Sequence, residues 1–399
     1  MAKKDCNVAL IGTKFMGKAH ANAYLKVGKF FKLPVNPVMH TAVGRSAGDT
    51  ADFAANWGWL NASTNWKQVV RTDAIHVVDV STPNDTHAPI AIAALEHGKH
   101  VACEKPLAAT LDDARQMRDA AAKAAKKGVK SFVWFSYRGC PALALAQRMV
   151  KQGRLGRIYH VRANYLQGWG GPATPLVWRF VGKVAGSGAH GDLNAHIIDM
   201  VRFVTGEEVV TVEGSIEHTF ITEREILVGS SGGEIGGAGA APDGAKGRST
   251  VDDAVVFLAR LSGGAIASFE ASRLATGYHN ANRFEIHGEG GALRFDFERM
   301  NELHYYDLRA DPAVQGWTTI DVTRAGSGHP YVEAWWPDSH GLGYEHAFVN
   351  QASDMLTVLG GGEPAFALPD FADALKTQRV LHAAIASARD RAPVNVDEV

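Results

Sequence analysis

Little in this chain is extreme, and each absence removes a class of function. Over 399 residues, 41 lysines and arginines oppose 42 aspartates and glutamates, for a formal net charge of -1. That balance leaves no basic footprint for nucleic acid and no polybasic patch for a membrane surface. No apolar run approaches the ~18 residues of a membrane span. Met1-Ala2-Lys3-Lys4-Asp5-Cys6 passes directly into a strand pattern, without the apolar stretch of a secretion signal. The three cysteines, Cys6, Cys103 and Cys140, are too few and too scattered for a disulfide framework. They read as small buried hydrophobes in a reducing, cytoplasmic setting. No internal repeat is visible. His340 and His346 lie among Trp335, Trp336 and Tyr344 without ligand spacing, so no metal is expected. What remains, 46% hydrophobic and 21% charged, is an ordinary globular composition with length for two domains.

The first part alternates strand and helix. Asn7 to Ile11 suits a buried parallel strand, and Phe15 to Lys29 reads as the helix after it. Between them, Gly12-Thr13-Lys14-Phe15-Met16-Gly17 keeps the first and third glycines of the dinucleotide fingerprint and places Lys14 at the second. A glycine turn opening a helix offers free amides and a positive dipole end to a phosphate, and Lys14 adds an ammonium. Val38 to Val43 reads as the next strand, after a loop carrying Pro34 and Pro37, and ends in Gly44-Arg45-Ser46. An acid there would hold ribose hydroxyls. A guanidinium and a hydroxyl instead suit a 2′-phosphate, which favours NADP over NAD. Ile75 to Val80 ends in Ser81-Thr82-Pro83-Asn84, with His87 beyond, and His100 to Cys103 ends in Glu104-Lys105-Pro106. Ligands of a doubly wound sheet sit at such strand ends, so Lys105 is a candidate catalytic ammonium. Thr110 caps an alanine-rich helix, and Lys130 to Phe135 makes a further strand.

The second part opens with a linking helix over 141 to 153 and then changes character. Strand patterns at Ile158 to Leu166, Val209 to His218, Ala254 to Leu261, Ala265 to Ala271 and Phe284 to Gly288 follow with a single long helix among them. That predicts a large, mostly antiparallel open sheet. The helix is Gly191 to Asp199 and onward, where Asp192, His196 and Asp199 fall at i, i+4 and i+7 beside an apolar stripe of Leu193, Ile197, Val201 and Val204. A carboxylate stacked on a histidine suits general acid–base chemistry. The Gly-, Ala- and Ser-rich run 229–247 reads as a mobile surface loop. Tyr344 onward starts a helix, and Phe371, Ala374, Leu375, Val380, Leu381 and Ile385 mark a closing helix over about 370–389, free to pack back on the first domain.

Gly12…Gly17, Ser81-Thr82-Pro83-Asn84…His87, Glu104-Lys105-Pro106 and Gly191-Asp192…His196…Asp199, in this order, resemble the glucose–fructose oxidoreductase and inositol dehydrogenase (Gfo/Idh/MocA) family across nearly the whole chain. Tyr137-Arg138, Tyr165-Leu166-Gln167, Trp178-Arg179 and Phe284-Glu285-Ile286-His287-Gly288 are most similar to its levoglucosan dehydrogenase-like sugar dehydrogenases. The resemblance implies an α/β protein. Residues 1–140 would form an NAD(P)-binding Rossmann domain, and residues 141–399 an α+β substrate and oligomerisation domain. It implies Lys105, Asp192 and His196 as catalytic residues, with His196 exchanging the proton, Lys105 on the reacting oxygen and Asp192 positioning substrate. Tyr137, Arg138 and Gln167 would join Asp192 and His196 in binding hydroxyls. Cofactor contacts would come from residues 12–17, Gly44, Arg45, Ser46, Ser81, Thr82, Pro83, Asn84, His87, Glu104 and Lys105. The chain departs from its near relatives at Gly168, where they carry an acid, and at His190. The expected activity is reversible hydride transfer between a sugar or cyclitol alcohol and NADP or NAD, in a cytoplasmic homodimer or homotetramer. The competing readings are an NAD-dependent glycoside hydrolase working by transient oxidation and elimination, and a non-catalytic nucleotide sensor.

Overall fold

A computed structural model describes residues 3–227 and 242–399. The described residues divide into two compact units, one holding 3–139 and Tyr344–Leu375, the other 140–227, 242–343 and Lys376–Val399. The first unit thus takes in a stretch that the sequence reading gave to the second.

In the first unit the elements are β1 (Lys4–Ile11), α1 (Phe15–Phe30), β2 (Val35–Val43), α2 (Ala47–Trp57), β3 (Asn61–Ser63), α3 (Trp66–Val69), β4 (Val77–Val80), α4 (His87–Glu96), β5 (His100–Cys103), α5 (Leu111–Ala125) and β6 (Ser131–Val133). The strands form one parallel sheet in the order β3-β2-β1-β4-β5-β6. The order reverses direction at β1, which places a ligand crevice at the ends of β1 and β4. Val8, Leu10, Val78 and Val101 are fully buried, as a sheet covered on both faces requires. Pro37, read as loop, lies inside β2 opposite Cys6. It is tolerated because β3 pairs only with Thr41–Val43, so no ladder bond is asked of its missing N–H. Thr110 caps α5 as expected, accepting from the Asp113 amide.

The second unit begins with α6 (Pro141–Lys151), β7 (Ile158–Leu166) and α7 (Gly182–Ala185). After a π-helical turn over His190–Asn194 come α8 (Ala195–Thr205), β8 (Val209–His218), β9 (Glu223–Leu227), β10 (Pro242–Arg248), β11 (Ala254–Leu261), β12 (Ile266–Ser272), β13 (Ala281–Gly288), β14 (Gly291–Asp296), β15 (Glu302–Asp307) and β16 (Trp317–Asp321). The chain then forms α9 (Tyr344–Leu359) and α10 (Phe371–Asp390), and ends with β17 (Val394–Asn395). Nine strands make an open sheet, β16-β15-β14-β13-β7-β12-β11-β8-β17, antiparallel except for β12 beside β7. Its inner face carries Val161, Phe257, Phe269, Phe284 and Ile286, and α8 packs there against β7 and β13. Its outer face is charged at one end, where Arg162, Glu285, Arg294 and His304 lie in register, and apolar at the other, where Ile216, Val256, Leu258 and Ile266 are exposed.

Three expectations are corrected. Asp199 does not join Asp192 and His196: those two are partly exposed, Asp192 in a π turn over His190–Asn194 and His196 in α8, whereas Asp199 lies in the core. The run 229–247 is not one loop, since Pro242–Arg248 forms β10 against β9, while 229–241 lies outside the described residues. The strand read over Lys130 to Phe135 contracts to Ser131–Val133. Among the described residues, no helix is long and apolar enough to cross a membrane.

Candidate active site

In the first unit the turn after β1 is built by close approach. Gly12 has φ +113, and a Cβ there would lie 2.6 Å from the Ser81 carbonyl oxygen. A Cβ at Gly17 would lie 2.2 Å from the Gly12 carbonyl oxygen, so no larger residue fits either position. The Ser81 hydroxyl donates to the Gly12 carbonyl at 3.0 Å and ties the ends of β1 and β4 together. The first turn of α1 holds no acid and Lys14 gives it no side-chain cap, so its amides remain available to an anion. These features fit a dinucleotide pyrophosphate. Thr13, Lys14, Phe15 and Met16 are all partly exposed around the turn, and Lys14 reaches Asp49 at 3.7 Å. At the end of β2, Gly44 has no room for a side chain, because a Cβ would meet the Thr50 hydroxyl at 2.3 Å. Arg45 and Ser46 are exposed, and the Ser46 hydroxyl caps α2.

Behind this turn the other strand-end residues divide into exposed and supporting groups. Ser81, Thr82, Pro83 and Lys105 are partly exposed, and Asn84 is buried. His87 is fully buried, with Nε2 2.9 Å from the Thr82 carbonyl and Nδ1 3.1 Å from the Pro106 carbonyl. It ties the loops of Thr82 and Pro106 together, and burial holds its pKa below the ordinary value. Glu104 is buried and caps the Lys105 amide at 3.0 Å, ahead of a cis Lys105-Pro106 bond. Tyr137 and Arg138 are buried, and the Arg138 guanidinium donates to Asp373 at 2.6 Å. The three thiols are buried as expected, and burial pushes Cys6 up to about 11 and Cys140 to about 12, far from reactive thiolates.

In the second unit, Asp192 and His196 are the two partly exposed residues between Ala189 and Thr205, a stretch otherwise buried. The apolar stripe Leu193, Ile197, Val201 and Val204 lies in the core, which aims this pair away from it. Asp192 accepts from Arg273 at 2.9 Å; the guanidinium is 1% exposed and the carboxylate 26%. Arg273 also donates to the Arg179 carbonyl and lies 5.2 Å from the Trp169 ring centroid. A second buried guanidinium, Arg224, donates to the carbonyls of Gly170, Gly171 and Thr174 and pairs with Asp253, fixing the loop after β7. The Tyr165 ring stands 5.8 Å from that of His196. Its hydroxyl donates to Asn280 Oδ1 at 2.6 Å, as does Gln167 Nε2 at 2.8 Å, while Gln167 Oε1 accepts from Trp169 at 2.7 Å. The Gln167 amide is therefore engaged within the unit at both its oxygen and its nitrogen. His190 resolves to a structural role: it is fully buried, with Nε2 2.7 Å from the Leu381 carbonyl and Nδ1 2.9 Å from Asn194.

Sequence reasoning missed Arg273, Trp169 and Asn280. Arg273 lies 81 residues from Asp192 and just past β12, where no local pattern marks it. The one available signal was an arginine at the exit of an apolar strand, a position that needs a buried partner.

The amino-terminal part, residues 6–132, matches the oxidoreductase family with an NAD-binding Rossmann fold, and residues 143–294 match the GFO/IDH/MocA C-terminal domain. Levoglucosan dehydrogenase of Pseudarthrobacter phenanthrenivorans is 38% identical over 399 residues, covering 99% of each chain. An oxidoreductase domain protein from Kribbella flavida superposes with a TM-score of 0.91 at 45% identity, covering 98% of this chain and 99% of that one. Levoglucosan dehydrogenase in complex with NADH and levoglucosan superposes with a TM-score of 0.90 at 37% identity, covering 99% of this chain and 100% of the other.

Proposed function

The chain belongs to the Gfo/Idh/MocA oxidoreductase family, and from that premise we propose that it moves a hydride reversibly between nicotinamide and a secondary alcohol of a sugar, anhydrosugar, glycoside or cyclitol. The observation that carries this reading is the Asp192–His196 pair, held partly exposed on a buried helix with Asp192 anchored to a buried guanidinium. Keeping ionisable groups there costs desolvation, and use in chemistry accounts for the arrangement. The names of the relatives support the substrate class.

Alcohol oxidation needs a base for the hydroxyl proton and a positive group at the developing alkoxide. In this proposal the His196 imidazole takes the proton, the Lys105 ammonium donates to the reacting oxygen, and Asp192 orients the substrate from its anchor on Arg273. Bound nicotinamide supplies the hydride acceptor. Residues 12–17 hold the pyrophosphate, with Ser81 to Asn84 and the Glu104-Lys105 segment beside it, and His87 supports both loops from behind. Tyr137, Arg138 and Gln167 shape the substrate side.

NAD binding follows from the family. The finer assignment proposed here is NADP, from the exposed Arg45 and Ser46 at the end of β2. NAD is the competitor, because related structures hold NADH and Asp49 stands nearby. The exposed apolar residues on the outer sheet face support a homo-oligomer, dimer or tetramer, and the thiol usage supports a cytoplasmic location.

The test is turnover of purified protein with each cofactor against levoglucosan, pyranoses, glycosides and inositols. Stoichiometric accumulation of reduced cofactor is expected. Glycoside cleavage without it would instead establish the hydrolase, and tight nucleotide binding without any turnover would establish the sensor. In the same assay His196→Ala is expected to abolish turnover while cofactor affinity is kept, and unchanged turnover removes His196 from the mechanism.

A further inference from the structure

We propose that His20 is the positioning residue of Lys105, acting through Glu104 from the buried side of the first unit; this rests on the reading of Lys105 given above. His20 lies on α1 and is fully buried. Its Nδ1 is 2.9 Å from Asp79 Oδ1 and its Nε2 is 3.0 Å from Glu104 Oε1. With a carboxylate at each nitrogen, both nitrogens carry protons, and the ring is a cation. Asp79 also accepts from the Tyr24 hydroxyl at 2.7 Å and from Trp134 Nε1 at 3.2 Å, while the second oxygen of Glu104 accepts from the Lys105 amide at 3.0 Å. Every carboxylate oxygen in the cluster therefore meets a donor. The chain of contacts leads from β4, through the imidazolium, to the main chain that bears the ammonium.

The environment keeps this arrangement dry. The rings of Trp134 and Phe348 lie 4.4 and 5.8 Å from that of His20. Burial alone would lower the His20 pKa, but the adjacent Asp79 and Glu104 outweigh it and raise it to about 9. The other titratable groups against the cluster, Tyr24 and Cys103, are pushed well above their ordinary values, first by burial, and stay neutral through that range. Two carboxylates and one imidazolium leave a single negative charge beneath Lys105. Loss of the imidazole proton would double it and release the Glu104 side chain that caps the Lys105 amide.

The experiment compares wild type, His20→Gln, the double variant His20→Gln/Glu104→Gln and Lys105→Met, reading kcat, KM, the pH profile and cofactor Kd by fluorescence titration. His20→Gln is expected to lower kcat about 100-fold, the scale of a small misplacement of a reacting group, while substrate KM and cofactor Kd move less than about threefold. It should also abolish the fall in wild-type kcat centred near pH 9. The double variant restores the single negative charge and an acceptor for the Lys105 amide, and is expected to recover at least about tenfold of the loss. A kcat for His20→Gln within about threefold of wild type, or a loss that the double variant leaves untouched, overturns the proposal. Active Lys105→Met would instead overturn the reading of Lys105 itself. Nitrogen-15 NMR of wild-type imidazoles serves even where the variants do not fold: two protonated ring nitrogens at pH 7.5 are expected for His20, and a neutral ring overturns the proposal.

Discussion

The two units bury charge behind their exposed functional groups in opposite ways. In the first, a cation that can lose its proton, His20, lies between Asp79 and Glu104 beneath a partly exposed lysine. In the second, two buried arginines, Arg273 and Arg224, lie against a partly exposed carboxylate and a loop, and a guanidinium as a chemical class stays cationic where an imidazole titrates. One support is switched by alkali and the other is permanent. The unit that presents a positive group thus has a pH-dependent foundation, and the unit that presents a negative group does not.

The largest effect is expected where the permanent support is removed. Arg273→Met takes away the partner of Asp192 and the donor to the Arg179 carbonyl, and kcat/KM is expected to fall about 10³-fold, roughly 4 kcal/mol. The loss should be the same from pH 6.5 to 9, because a guanidinium does not titrate there; a loss that varies with pH breaks the contrast. A smaller effect comes from the switchable support. Folding raises His20 from 6.5 to about 9, so its stabilisation is complete below about pH 6.5 and disappears as pH climbs through about 9, on the order of 3 kcal/mol in all. Urea unfolding of wild type and His20→Gln should therefore converge as pH rises, and a difference that widens with pH contradicts the assignment. The smallest effect belongs to an exposed charge. Arg45→Ala is expected to raise the KM for NADP about tenfold and leave NAD nearly unchanged; equal loss for both defeats the NADP assignment.

The same contrast explains what could be read in advance. In the first unit the functional residues follow strand ends in short motifs, so Gly12 to Gly17 and Glu104-Lys105-Pro106 carry their own context. The parallel, doubly wound sheet also follows from the alternation of strand and helix. In the second unit the helix with Asp192 and His196 was legible from its period, but its π turn was not, because one added residue leaves no mark on composition. Arg273 and Asn280 come to the site through pairing of β12 and β13 with β7, contacts set by the register of distant strands. Strands β14 to β16 and the hairpin of β9 and β10 escaped for the same reason: their apolar alternation is short, and their partners decide their existence. For His87 and Arg138 the sequence suggested ligand contacts but could not show their partners at distant positions, the Thr82 and Pro106 carbonyls for His87 and Asp373 for Arg138.

Gly168 follows Gln167 at the mouth of this network, and a Cβ there would stand 3.1 and 3.2 Å from the carbonyl oxygens of Ala275 and Tyr278. A side chain at this position asks the backbone at 275–278 to give by a few tenths of an ångström. The two segments are therefore coupled through this contact: a library that diversifies residue 168 is expected to yield more active variants when the turn at 275–278 is randomised with it.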